Sequence, residues 1–196
     1  MAWRRRKTKA TRLLSETLLR AQERFEETLD QLDVAEANTM PAPLIKSVTW
    51  LIWHTARELD LQISDLKNSE PLWFSQDWSG KFALDLPDDT QDWQHTPAEA
   101  KKVVVTDKKL LTDYLANSVS LTIEYLEQVD EGTLDEVIDS NWTPPVTRED
   151  RLVSIIDDAV MHSGQGIYSY LPVYYCRFFL VSIAYAFNIV YDKGGE

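Results

Sequence analysis

Cysteine is nearly absent from this chain: among 196 residues there is only Cys176. A single thiol cannot form an intramolecular disulfide, and it cannot build a cysteine-based zinc site. Cys176 is surrounded in the sequence by aromatic residues, with Tyr175 before it and Phe178 soon after. This setting predicts a buried structural thiol rather than a nucleophile.

Basic residues are in deficit, with 20 Lys and Arg against 32 Asp and Glu and a net charge of −12. A general nucleic-acid-binding protein needs a basic surface, so this charge balance argues against nucleic acid as a partner. The exception is a basic leader at residues 1–10, which contains Arg4, Arg5, Arg6, Lys7 and Lys9. We interpret it as a solvated leader to the first helix; contact with phosphate or anionic lipid is the alternative.

Long hydrophobic runs are also missing. Residues 178–191 are strongly apolar, but they are fewer than the ~20 residues that a membrane span needs. Charged residues flank them, with Arg177 on one side and Asp192 on the other. The basic start is not followed by an apolar segment typical of a secretory leader. We therefore expect a cytoplasmic protein without a membrane partner.

Helical periodicity accounts for most of the chain, and no segment of any length has strand periodicity. Apolar residues recur at helical spacing over about 11–34 and 44–66. A capping box at Thr96–Glu99 opens a third helix, predicted to continue to about Val129 despite the β-branched run at 103–106. A fourth helix is predicted from Thr147 to near Ser169, and an apolar fifth over about 172–190. The pattern predicts one domain over 1–196, an all-α antiparallel bundle of four main helices plus an additional C-terminal helix.

The connection at 68–95 is unusually long and rich in tryptophan. Loops of this length in a compact domain are usually functional or lid-like. We interpret Trp73, Phe74 and Trp78 as anchors that hold the connection on the bundle, with substrate packing as the alternative. His95, just before the Thr96 cap, is expected to be a surface or capping neighbour rather than an active-site residue.

Three residues form a candidate metal site. Asp158 and His162 are four residues apart in the fourth predicted helix, so their side chains leave the same face one turn apart. His54 lies near the middle of the second predicted helix, and mid-helix residues of facing helices can meet in a bundle. Asp157 is about 100° further round the helix, so Asp158 is the better ligand. The alternative is that these are ordinary solvated or hydrogen-bonded residues, and the residues alone leave the two readings evenly balanced.

Two motifs resemble the DinB-like superfamily, which includes mycothiol-dependent maleylpyruvate isomerases and bacillithiol-transferase-like proteins. They are Trp50–Glu58, which contains Trp53-His54, and Asp158–Gln165, which contains His162-Ser163-Gly164-Gln165. The resemblance implies a four-helix bundle of the up-down-down-up type. It also implies a divalent metal, zinc or nickel, held by His54, Asp158 and His162. Most relatives have histidine where this chain has Asp158, and arginine where it has Ser163.

The resemblance implies a metal-dependent enzyme acting on a small molecule, most specifically a transferase or isomerase that uses a low-molecular-weight thiol as a second cofactor. A carboxylate in place of a third histidine lowers the charge of the site by one and weakens a bound ion as a Lewis acid. A metal-dependent hydrolase is a second possibility. A non-catalytic, dimerising bundle with a degenerate metal site is the third.

The final predicted helix is apolar around its whole circumference: Phe178, Phe179 and Leu180 follow one another at steps of about 100°, and Ile183 and Phe187 lie on the same side as Leu180. Four other helices can cover only part of such a surface, and large uncovered apolar patches are rare on monomers. This pattern predicts a homodimer. The alternative is that the 68–95 connection covers the helix and leaves the chain monomeric.

Overall fold

Four long helices form the bundle in a computed structural model, which describes the backbone of residues 8–191 and the side chains of residues 8–171. They are α1 (Lys9–Asp30), α3 (Val48–Lys67), α7 (Lys108–Gln128) and α8 (Arg148–Tyr191). Helices α1 and α3 each pack against both α7 and α8, so α3 and α1 occupy opposite corners of the bundle. The all-α bundle predicted from the sequence is confirmed.

The short elements lie in the connections. They are α2 (Val34–Ala37), α4 (Leu72–Ser75), α5 (Trp78–Phe82), α6 (Pro97–Ala100), two strands β1 (Val137–Asp139) and β2 (Val146–Thr147), and the 3₁₀ turns Asp92–Gln94 and Glu131–Thr133. The strands pair antiparallel, with Val137 opposite Thr147. The sequence did not predict this hairpin, because two or three residues are too few for a period of two to be recognised.

Helix α3 is buried along most of its length, and it carries His54. Its start is defined by Ser47, whose side chain accepts a hydrogen bond from the Trp50 N–H. Its end is Asn68 in the left-handed conformation (φ 51°), a conformation that asparagine tolerates. Because α3 contacts α7 on one side and α8 on the other, polar residues such as His54, Thr55 and Arg57 are buried as well. This burial brings His54 into the interior rather than to the surface.

The third predicted helix is interrupted. The capping box at Thr96 and Glu99 is present and opens α6, but α6 ends at Ala100 and α7 begins only at Lys108. Between them, Val103 and Val105 are buried, and the Asn38 amide bonds both the N–H (3.1 Å) and the C=O (2.8 Å) of Val105. The prediction of one continuous helix was wrong because Asn38 satisfies the backbone here and the β-branched run favours extended structure.

The fourth and additional C-terminal helices are one helix. Helix α8 runs without interruption for 44 residues from Arg148 to Tyr191. The predicted boundary between Ser169 and Pro172 is therefore wrong. Glycine costs only ~1 kcal/mol in a helix, and a proline kinks a helix as readily as it ends one. The side chains expected to form a dimer surface, and that of Cys176, lie outside the described residues, as does most of the basic leader.

The 68–95 connection packs two of its tryptophans onto the bundle. Trp73 and Trp78 are buried with their rings 5.5 and 5.1 Å from that of Tyr114 on α7, whereas Phe74 is partly exposed. The first two residues thus act as the anchors that the sequence suggested. Within the part of the chain that the structure describes, no helix is long and apolar enough to cross a lipid bilayer.

Candidate metal centre

Helices α3 and α8 bring the three predicted ligands together. The His54 Nε2 atom lies 3.8 Å from Asp158 Oδ2, and His162 Nε2 lies 3.3 Å from Asp158 Oδ1. One donor atom from each residue lies within 4.8 Å of the other two. Zinc-like bonds of ~2.0–2.2 Å at tetrahedral angles place ligand atoms about 3.4 Å apart, so the donor set fits a single divalent ion. That these residues bind a metal stays a prediction.

The two imidazoles are oriented by hydrogen bonds at their other nitrogen. His54 Nδ1 lies 3.0 Å from Asp92 Oδ2, and His162 Nδ1 lies 2.7 Å from Gln165 Oε1. Because both partner atoms are acceptors, each Nδ1 carries the proton and donates. In the neutral ring each Nε2 then carries the lone pair, and this atom faces Asp158. Metal-binding histidines in proteins are typically oriented in this way.

Asp92, which the sequence did not predict as part of the site, is the hydrogen-bond partner of His54. It lies in a 3₁₀ turn of the Trp-rich connection and is 1% exposed. Burial raises the pKa of its carboxyl group, but the hydrogen bond and charge of His54 and the charge of Arg57 outweigh burial, so the net shift is downward. Asp92 is therefore an anion at neutral pH. No local pattern marks it, although its place in an unusually long connection was a general signal.

Arg57 supplies the positive charge behind Asp92. It is 2% exposed on α3, and its guanidinium lies 4.4 Å from the ring centre of Trp73 and 5.8 Å from that of Trp53. Its Nε and Nη1 have no hydrogen-bond acceptor among the described residues. The buried cation is therefore balanced by the faces of two indoles and by the carboxylate of Asp92.

Glu58 extends the cluster of acidic groups. One of its carboxylate oxygens lies within 4.8 Å of donor atoms of His54 and Asp92, so this second group shares His54 with the first. Burial and the negative charge of Asp92 raise the pKa of Glu58. The pKa of His162 is raised as well. Burial lowers it, but the hydrogen bond to Asp158 and the charge of Asp158 outweigh burial. The site concentrates negative charge, which favours a cation.

Trp50 and His95 form the wall behind His54. The Trp50 ring stacks on the His54 ring at 4.5 Å and 11°, and meets His162 edge-on at 6.3 Å. Its indole N–H donates to His95 Nδ1 (3.1 Å), so His95 carries its proton on Nε2 and donates to Thr90 Oγ1 (2.9 Å). His95 does adjoin the Thr96 cap as expected, but it is half-buried and holds this wall in place.

Comparison with known proteins agrees with the motifs. The family profile of the DinB superfamily matches residues 17–165, which include all three predicted ligands. The chain belongs to the DinB superfamily. A crystal structure of a conserved protein from Enterococcus faecalis is 71% identical in sequence, with a TM-score of 0.82 over 85% of this chain and 98% of that one. None of the curated proteins compared with the chain matches it.

Ser163 stands at the position where the resemblance to the DinB superfamily leads one to expect arginine. Ser163 is buried, and its hydroxyl accepts a hydrogen bond from Arg24 Nη1 (2.6 Å) on α1 while donating to the Val160 carbonyl (2.8 Å). An arginine side chain thus reaches the residue after His162 from a different helix.

Asp157, which was the less favoured ligand of the two neighbouring aspartates, is exposed, whereas the Asp158 side chain is only 31% exposed.

Proposed function

We propose that this member of the DinB superfamily is a divalent-metal-dependent enzyme that uses a low-molecular-weight thiol to transfer or isomerise a small molecule. The observation that supports it most directly is the orientation of His54 and His162. Each donates from Nδ1 to a fixed acceptor, so that both Nε2 atoms, the remaining ring nitrogens, face the Asp158 carboxylate. Hydrogen bonds that orient two imidazoles through their other nitrogen are typical of metal sites and are not needed by a helix bundle.

The donor set suits zinc or nickel, which both accept imidazole and carboxylate ligands. Such an ion, when bound, would polarise a substrate oxygen or lower the pKa of a thiol in an open coordination position. The chain's own residues prepare the site. Asp92 and Gln165 hold the imidazoles in the correct tautomer, and the Trp50 ring covers one face of His54 and limits its access to water.

Metal content tests the first half of this proposal. Protein purified without a metal-affinity tag should contain close to one zinc or nickel ion per chain by elemental analysis. The variant His162→Ala should lose most of it, whereas Asp157→Asn, which changes an exposed carboxylate next to Asp158, should retain it. Wild-type protein with no bound divalent metal would indicate a degenerate, non-catalytic site and would overturn the proposal.

The thiol is tested separately with cobalt-substituted protein. Addition of a small thiol such as cysteine should produce sulfur-to-cobalt charge-transfer absorption in the near ultraviolet, and His162→Ala should abolish it. If cobalt binds but no such absorption appears at any thiol concentration, the thiol-dependent reaction is excluded. Thiol-independent hydrolysis of a small ester or amide by the metal-loaded protein would then identify a hydrolase.

A further inference from the structure

A cavity of about 600 Å³ opens beside the candidate metal centre. Its lining includes Glu58, which lies on α3 one turn after His54 and within 4.8 Å of donor atoms of His54 and Asp92. Trp93, the next residue after Asp92, also lines it. The volume is typical of pockets for small molecules. A ligand in this cavity would contact Glu58, one turn from His54.

Two exposed tryptophans line the cavity. Trp93 is 66% exposed and Trp142, in the β1–β2 connection, is 64% exposed. They belong to segments far apart in the sequence, yet the fold brings both to one cavity. Indole rings left accessible in this way are typical of binding surfaces, and their faces attract cations.

The charged groups of the cavity have a negative excess. Three carboxylates line it, those of Glu58, Asp139 and Asp150, against the single guanidinium of Arg151. That guanidinium is already engaged, with Nη2 3.7 Å from Asp139 and Nη1 bonded to Gln62 (3.2 Å).

The carboxylates of Asp139 and Asp150 are anions at neutral pH. Hydrogen bonds lower their pKa values, from Asn141 to Asp139 and from Thr147 to Asp150. The whole chain has a net charge of −12, so its electrostatic field also attracts cations to the cavity and repels anions.

We propose that this cavity binds a small organic cation, an ammonium compound whose charged group lies between the indoles of Trp93 and Trp142 and whose other end points towards Glu58 and the metal donors. This names the substrate class of the proposed enzyme, and it rests on the proposed function only for the placement of the reacting end. Recognition of the cation itself needs no metal. A hydrated inorganic cation would satisfy the carboxylates but would not use the indole faces.

The experiment compares choline with 3,3-dimethylbutan-1-ol, which has the same shape but carries carbon in place of the charged nitrogen. Binding is measured by isothermal titration calorimetry on full-length, metal-free protein at low ionic strength. Choline should bind at least about tenfold more tightly than the neutral alcohol. Trp142→Leu and Trp93→Leu should each weaken choline binding by about three- to tenfold, because each removes one aromatic face. Phe74→Leu, a partly exposed aromatic outside the cavity, is the matched control and should bind as wild type does.

Equal binding of choline and the alcohol would overturn the proposal, as would unchanged choline binding by both tryptophan variants. Displacement of bound choline by an equal concentration of Mg²⁺ would overturn it in favour of an inorganic cation. Because the titration uses metal-free protein, its failure is distinct from that of the enzyme proposal, which depends on metal content. Circular dichroism of each variant separates loss of binding from loss of fold, and a folded variant with undiminished binding counts against the cavity.

Discussion

At the scale of single residues, the hydrogen bonds at Nδ1 of His54 and of His162 do most to define the candidate centre. Asp92 reaches His54 from a separate connection, whereas Gln165 reaches His162 from the same helix, three residues further on. Gln165 is exposed, so its replacement leaves the core of the bundle intact. It is therefore the cleaner position at which to test how the orientation of an imidazole affects metal binding.

Gln165→Ala is expected to weaken metal binding by about tenfold or more, because His162 loses the acceptor that fixes its tautomer and ring orientation. Competition with a chromophoric chelator measures the change. Tyr168→Ala, one turn further along α8 at a side chain that is 77% exposed, is the control and should leave affinity unchanged. Wild-type affinity in Gln165→Ala would contradict an orienting role.

The surroundings of the His95 ring predict that stability depends on pH. Burial lowers its pKa below 6.5, and its Nδ1 accepts from Trp50, so the fold favours the neutral ring. The unfolded chain therefore binds the proton more tightly than the folded chain does. The stabilisation is complete above pH 6.5 and is lost as pH falls from 6.5 through the lowered folded pKa.

Urea denaturation at pH 7.5, 6.5 and 5.5 measures this effect. The free energy of unfolding should fall more steeply with acidification in the wild type than in His95→Gln, which can accept from Trp50 and donate to Thr90 without titrating. Parallel pH profiles for the two proteins would show that His95 does not couple folding to pH.

At the scale of elements, Asp60 joins three helices. Its carboxylate accepts from the N–H groups of Leu72 and Trp73 in α4 (2.7 Å each) and from the Tyr114 hydroxyl in α7 (2.9 Å). Burial raises its pKa, and these hydrogen bonds only partly offset that shift. A buried acceptor with several donors therefore ties the start of the Trp-rich connection to the bundle.

Asp60→Ala should destabilise the protein by roughly 1–3 kcal/mol, because it leaves buried donors without an acceptor. Chemical denaturation measures the loss. Asp65→Ala, at an exposed position on the same helix, is the matched control and should change stability by less than about 0.5 kcal/mol. A loss in Asp60→Ala no greater than in the control would show that α4 does not depend on this carboxylate.

For the molecule as a whole, a bound metal should stabilise the fold. An ion that binds only the folded chain adds RT ln(1 + [L]/Kd), about 2.7 kcal/mol at a hundredfold excess over Kd. Chelator should therefore lower the melting temperature of metal-loaded wild-type protein, and His162→Ala should melt at one temperature with and without chelator. Identical melts of metal-containing wild-type protein in both conditions would contradict binding that is selective for the folded state.

The second whole-molecule prediction is the homodimer. Its basis remains the apolar sequence of the last part of α8, where a twofold contact would bury the same face of two chains. Light scattering at micromolar concentration should therefore give about twice the 22.6 kDa of one chain. The mass of a single chain would favour the monomer. Replacement of Phe187, in the predicted contact, by lysine should shift a true dimer towards monomer.

The sequence alone determined the features that depend on neighbours within one helix. The bundle, the capping box at Thr96 and the pairing of Asp158 with His162 all follow from periodicities of three to four residues. It also predicted that His54 lies close to this pair, because residues near the middle of facing helices meet in an antiparallel bundle. The bundle is confirmed because helical periodicity is set by residues three to four positions apart, whereas metal binding by His54, Asp158 and His162 stays a prediction.

Only the tertiary structure decided the features that depend on distant segments. It brought Asp92 to His54 across 38 residues and placed Trp93 and Trp142 around one cavity. It also ended α6 at Ala100, because Asn38 reaches the backbone of Val105. Helix ends and long-range hydrogen bonds depend on which surfaces become buried together, and a weak local preference of ~1 kcal/mol does not determine that.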